Sequence, residues 1–210
     1  MSNAARSGSA RLSGMNEQSL FSDAVDLAVA AVRGAAADRY ADPTPCTDLT
    51  VADLVNHVAF GFLLAHHAAT REPWPEAWGA EDRAPFLRDL PEREWAAAAE
   101  KEGAAAAAAW ADPAVWEGES HLGGGPMPAA AIGAMMTGEF VVHAWDLAMA
   151  TGQEFTVSPE LGEATLEAMT GMAAMGREAG WIGAEVAVDA GASAFERALG
   201  VSGRDPARRP

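Results

Sequence analysis

Apolar residues recur at helical spacing in several long stretches of the chain. Between residues 20 and 35, Leu20, Phe21, Ala24, Val25, Ala28, Ala31, Val32 and Ala35 form one stripe, with Asp23, Asp26 and Arg33 off it. This pattern predicts an amphipathic helix. Residues 41–48 (ADPTPCTD) end it, because a proline fits no helix interior and pushes the residue before it into extended geometry. A second helix starts with Thr50 as N-cap, Asp53 three residues on, and Leu49 and Leu54 placed as a hydrophobic staple. Its apolar face carries Val51, Leu54, Val55, Val58, Phe62 and Ala65, and it runs to about Arg71. A third helix is predicted over about 92–110, rich in alanine, and a fourth over about 129–151, closed by Gly152.

Between these, residues 72–91 combine prolines with tryptophans, too irregular for one element and too aromatic for a free linker. They are expected to pack over the bundle as a lid. Beyond Gly152 the pattern predicts a fifth helix over 159–180, an extended piece over 184–189 and a final helical turn or two over 192–199. The organisation expected is therefore a disordered leader or expression remnant over 1–14, an all-α four-helix bundle over 15–152, a short C-terminal helical extension over 153–203 and a flexible tail over 204–210.

A formal net charge of -16 makes nucleic acid and anionic membranes unfavourable partners. The most apolar runs, 104–110 and 129–136, are far shorter than the roughly 20 residues that a membrane span needs. The polar N-terminal residues do not form a signal peptide, and the one cysteine, Cys46, allows no intrachain disulfide. The expectation is a soluble, cytoplasmic protein.

The chemistry concentrates on the fourth helix. Glu139 and His143 stand at i and i+4, so one divalent ion can span both side chains. His57 in the second turn of the second helix is the candidate third donor, leaving a coordination position open. Asp146 follows His143 by three residues and is a candidate for orienting that histidine or acting as a base. Spacing alone also fits a solvated surface pair, although Phe140, Val141, Val142 and Trp145 surround His143 with apolar residues. Cys46, just ahead of a helix N-terminus, reads as a packed loop residue rather than a nucleophile or fourth ligand. His66 and His67 read as surface or pocket-rim residues, His121 in the crossing segment reads as a pocket residue able to reach the metal end of the bundle, and the triplet Gly123 to Gly125 lacks the context of a phosphate loop.

The stretch TPCTDLTVADLVNHV, followed some eighty residues later by GEFVVHAWDLA, resembles the signature of the DinB-like metal-binding superfamily. Within it, the chain is similar to the actinobacterial group related to the N-terminal domain of mycothiol-dependent maleylpyruvate isomerase, over about residues 17–152. The resemblance implies a DinB-like four-helix bundle with His57, Glu139 and His143 as metal ligands. It implies a divalent cofactor, zinc first and nickel or manganese as alternatives, with mycothiol as cosubstrate. A small thiol and an electrophile would be the partners of a transferase or isomerase, and a homodimer the implied assembly. Residues after Gly152, including AEVAVDAGASAFERALG, resemble a shorter subgroup. The resemblance thus supports the site more strongly than any one reaction, and a non-catalytic metal- or ligand-binding bundle is the alternative.

Overall fold

Capping chemistry sets the start of the helix that carries His57. In a computed structural model that describes residues 3–75, 78, 86–122 and 125–208, with side chains from residue 17 onward, Thr50 and Asp53 form a reciprocal capping box at the start of α2, Val51–Thr70. The Thr50 hydroxyl accepts from the Asp53 amide at 3.2 Å and the Asp53 carboxylate accepts from the Thr50 amide at 3.1 Å. Two amides left orphaned by the helix start are satisfied in this way. At the other end Arg71 adopts the left-handed region, with φ 58. Its guanidinium donates to the carbonyls of Val115, Glu117 and Glu119, which holds this unusual backbone in place.

The remaining helices are α1 (Asn3–Gly34), α3 (Glu92–Trp110), α4 (Ala129–Thr151), α5 (Pro159–Glu178) and α6 (Ala194–Val201). The span of α1 takes in residues 3–14, expected as a disordered leader; this segment contains no proline to stop a helix. The crossing segment between α3 and α4 contains a short antiparallel ladder of β1 (Glu119–Ser120) and β2 (Met127–Pro128), which the sequence pattern did not predict. Of the expected lid, residues 76–77 and 79–85 lie outside the described residues. Its described end is tied to α2 by the Leu87 amide, which donates to the Asn56 side chain at 2.8 Å.

Helices α1 to α4 make the expected all-α bundle. α1 packs against α3 and α4, α2 packs against the same pair, and α1 faces α2 only across the diagonal. One aromatic ring from each helix meets in the centre: Phe21 lies 5.3 Å from Trp110 and 5.9 Å from Phe140, and Phe62 lies 4.8 Å from Phe140. All four side chains are buried, and rings of this size supply much of a core's apolar area. α5 packs on α4 where Gly138 permits it; a Cβ there would lie 2.7 Å from Met169 and 2.8 Å from Ala168. α6 packs on α5, with Ala198 against Val142 and Met169. Residues 184–189 form no strand, and Val186 is tied to α6 through its amide to the Gly200 carbonyl at 2.9 Å. No helix among the described residues is long and apolar enough to cross a membrane.

Candidate metal centre

α2 and α4 run antiparallel: His57 faces His143, and one turn further along α2 Gly61 faces Phe140. The beginning of α2, the end of α4, the loop carrying Cys46 and the segment after α6 therefore converge at one end of the bundle. Here one donor atom each from His57, Glu139 and His143 lies within 4.8 Å of the others. The two histidine rings stand edge to face, with centroids 4.8 Å apart. His143 Nε2 lies 3.2 Å from a Glu139 oxygen, and its Nδ1 lies 3.1 Å from Asp146 Oδ2. His57 reaches solvent, Glu139 is half-buried and His143 is buried, so the group opens outward from a fixed base.

The charges reinforce one another. Burial alone would lower the pKa of His143, but hydrogen bonds to Asp146 and Glu139 hold it up at about 9. At neutral pH its ring is thus an imidazolium, donating through Nδ1–H to Asp146 and through Nε2–H to Glu139. Burial also disfavours the charge on Glu139, yet His143 keeps that carboxyl below its usual range. His57 moves the other way. Desolvation on its bundle side, then the charge on His143, push it down to about 4, leaving a neutral ring with a lone pair.

Asp146 has no exposed surface, and burial opposes its charge. The carboxylate survives because Arg204 clamps it. Nη2 donates to Oδ2 at 2.8 Å and Nε to Oδ1 at 3.3 Å. Arg204 belongs to the segment expected to be a flexible tail, and its side chain is only 9% exposed. The sequence reading passed over it. A signal was present: a carboxylate inside the apolar run VVHAWDLAMA calls for a permanent cation, and helix α4 carries no lysine or arginine.

Cys46 also approaches the centre, its sulfur within 4.8 Å of atoms of His143 and Asp146. Burial and the negative charge of Asp146 push its thiol up to about 11. It is therefore a thiol, not a thiolate, at neutral pH. His66, His67 and His121 lie elsewhere. His66 Nδ1 is 3.4 Å from the Ala105 carbonyl, His67 meets Trp78, and His121 meets Trp74. His121, a candidate for reaching the metal end, instead sits in the crossing segment beside the C-terminal end of α2, where the Ser120 hydroxyl donates to the Ala68 carbonyl. Eleven helical positions, about 16 Å, separate Ala68 from His57.

Two imidazoles and a carboxylate on facing helices suit a borderline divalent ion, and a carboxylate that accepts from the far nitrogen of one imidazole, as Asp146 does from His143, is a common support for a histidine ligand. Fold and donor set together define an all-α bundle protein with a candidate divalent-metal centre. The family model of the mycothiol maleylpyruvate isomerase N-terminal domain matches residues 21–148, and the chain belongs to that family. It is also similar to two uncharacterized proteins of Mycobacterium tuberculosis, from strains CDC 1551 / Oshkosh and ATCC 25618 / H37Rv. Each is 32% identical over 147 residues, which cover 69% of this chain and 72% of the relative. No solved structure gives a significant match.

Proposed function

We propose that the chain holds one divalent metal ion through His57, Glu139 and His143 and uses it to activate a low-molecular-weight thiol of the mycothiol type toward an electrophile. The observation that carries this reading is the three-donor group across α2 and α4, with His57 already neutral and Glu139 already ionised. When bound, the ion supplies a Lewis acid that lowers the pKa of a thiol and holds the thiolate. His57, Glu139 and His143 contribute three donors, which leaves a position for an external ligand. Asp146, buried and engaged through both oxygens, serves to fix the His143 ring and is poorly placed to exchange protons with a substrate. In the metal-free protein burial and the charge of Asp146 raise the pKa of the Cys46 thiol, which makes it a poor nucleophile there. Displacement of a leaving group from an electrophilic carbon by the small-molecule thiolate, the group departing with the electron pair of the broken bond, or addition and later loss of the thiolate in isomerising an activated double bond, would both begin from this activation.

Elemental analysis of the wild type and of His57→Ala, His143→Ala and His66→Ala tests the ligand assignment. About one zinc, nickel or manganese per wild-type chain is expected, lost in the first two variants and kept in the third. A cobalt-substituted sample then tests the thiol. A change in its ligand-field spectrum on adding mycothiol supports activation at the ion. An unchanged spectrum would leave a non-catalytic metal-binding bundle.

A further inference from the structure

The family match ends at residue 148, yet the deepest charge at the centre is held by a residue well beyond it. Asp146 is fully buried, and its cation partner, Arg204, comes from the segment after α6. The backbone delivering Arg204 is fixed rather than loose. Gly203 turns the chain through the left-handed region with φ 82, and a Cβ there would lie 3.0 Å from Gly183 Cα and 3.1 Å from the Ala184 carbonyl. The Arg204 amide donates to the Leu199 carbonyl at 2.8 Å, and Nη1 donates to the Ser202 carbonyl at 2.8 Å. Arg177 of α5 donates to the carbonyls of Val201 at 2.8 Å and Gly183 at 3.2 Å, locking the same turn to the neighbouring helix.

We propose that Arg204 is a positioning residue for the metal centre: its two-pronged grip on Asp146 fixes the carboxylate that orients His143, so the C-terminal extension sets the affinity of the site. The inference rests on the metal-binding reading above. A lone hydrogen bond to His143 would leave the Asp146 carboxylate free to rotate about its side-chain bonds. The guanidinium fork, bonding one oxygen through Nη2 and the other through Nε, removes that freedom. With the carboxylate fixed, Nδ1–H of His143 points one way, and Nε2 is aimed at the space shared with Glu139 and His57.

Charge counting gives the opposite sign, which makes the proposal testable. Arg204 brings a full positive charge toward a site meant for a cation. If only long-range electrostatics mattered, Arg204→Met would tighten metal binding and Arg204→Lys would leave it unchanged. If positioning dominates, both variants weaken it, because methionine offers no donor and lysine offers a point charge without the fork. Loss of an outer partner of a metal-bound histidine typically costs about 10–100-fold in affinity. Arg204 acts one step further back, so about tenfold is expected for Arg204→Met and severalfold for Arg204→Lys.

The experiment measures the cobalt(II) dissociation constant of the full chain by competition with a chromophoric chelator at one fixed pH, for the wild type and both variants. In parallel, proton NMR of the cobalt-loaded samples follows the hyperfine-shifted exchangeable Nδ1–H signals of ligated histidine. The expected result is weaker binding in both variants, together with broadening of one such signal through faster solvent exchange. A folded Arg204→Met protein that binds cobalt as tightly as the wild type or more tightly, with its signals unchanged, overturns the proposal. Should Arg204→Met not fold, Arg204→Lys decides on the same two readouts. A wild type that takes no cobalt would instead overturn the metal-binding reading itself, so the two failures are distinct.

Discussion

Titrating the apoprotein with a divalent ion at different pH values perturbs one identifiable proton. At neutral pH, His57 is neutral with a pKa of about 4, Glu139 is ionised, and only His143, with a pKa of about 9, carries a proton that a metal must displace. That proton sits on Nε2, against Glu139. Between pH 6 and 8, binding should therefore release close to one proton per ion, and the apparent Kd should fall about tenfold per pH unit. Two ordinary histidines titrating at roughly 6.5 would behave differently: between pH 7 and 8 their affinity would change less than about twofold, with about half a proton released at pH 7 and almost none at pH 8. The step from pH 7 to 8 separates the cases. Isothermal calorimetry in buffers of different ionisation enthalpy counts the protons directly. It should be run with manganese as well as zinc, because zinc-bound water can itself lose a proton near pH 7. A pH-independent manganese affinity from pH 7 to 8, with no proton released, would refute the coupled Glu139–His143–Asp146 arrangement.

The same shifts predict how the metal-free fold responds to pH. His143 is raised above its unfolded value of 6.5, so its contribution, on the order of 3 kcal/mol, is full below pH 6.5 and lost as pH rises through 9. His57 is lowered, so its contribution is present above 6.5 and lost as pH falls toward 4. Urea unfolding in chelator should show a stability maximum near pH 6.5 and a decline by pH 9, which saturating zinc abolishes; a flat profile over this range would contradict the assignment. Away from the site, Gly133→Ala places a Cβ 2.5 Å from Trp116 and 2.9 Å from Trp110. Both indoles are held by hydrogen bonds, to the carbonyls of Trp110 and Ala65. A loss of about 1–3 kcal/mol in unfolding free energy is expected, with the metal Kd unchanged. Full stability in this variant would mean that the Trp110–Trp116 packing is looser than described.

Much of the fold was legible before any coordinates. The Thr50–Asp53 capping box, the apolar stripes of α1 and α2, the alanine-rich α3 and the Gly152 stop of α4 are local features, dictated by residues within a turn or two of one another. The i, i+4 spacing of Glu139 and His143 likewise required only that α4 be a helix. Spacing could not say whether that pair faces solvent or another donor, because the answer depends on the register of α2 against α4. Packing of the central aromatic cluster decides that register, and with it the edge-to-face meeting of His57 and His143. Nor could residues 57 and 139 to 146 reveal their own protonation states. Those follow from burial and from charges that lie close in space and far apart in sequence, above all Arg204, 58 residues beyond the carboxylate it clamps. Local sequence sets which residues can form helices and which side chains carry donor atoms. Contacts between distant segments set which donors meet, which proton a bound ion would displace and how Arg204 reaches back to Asp146, because no local propensity encodes any of them.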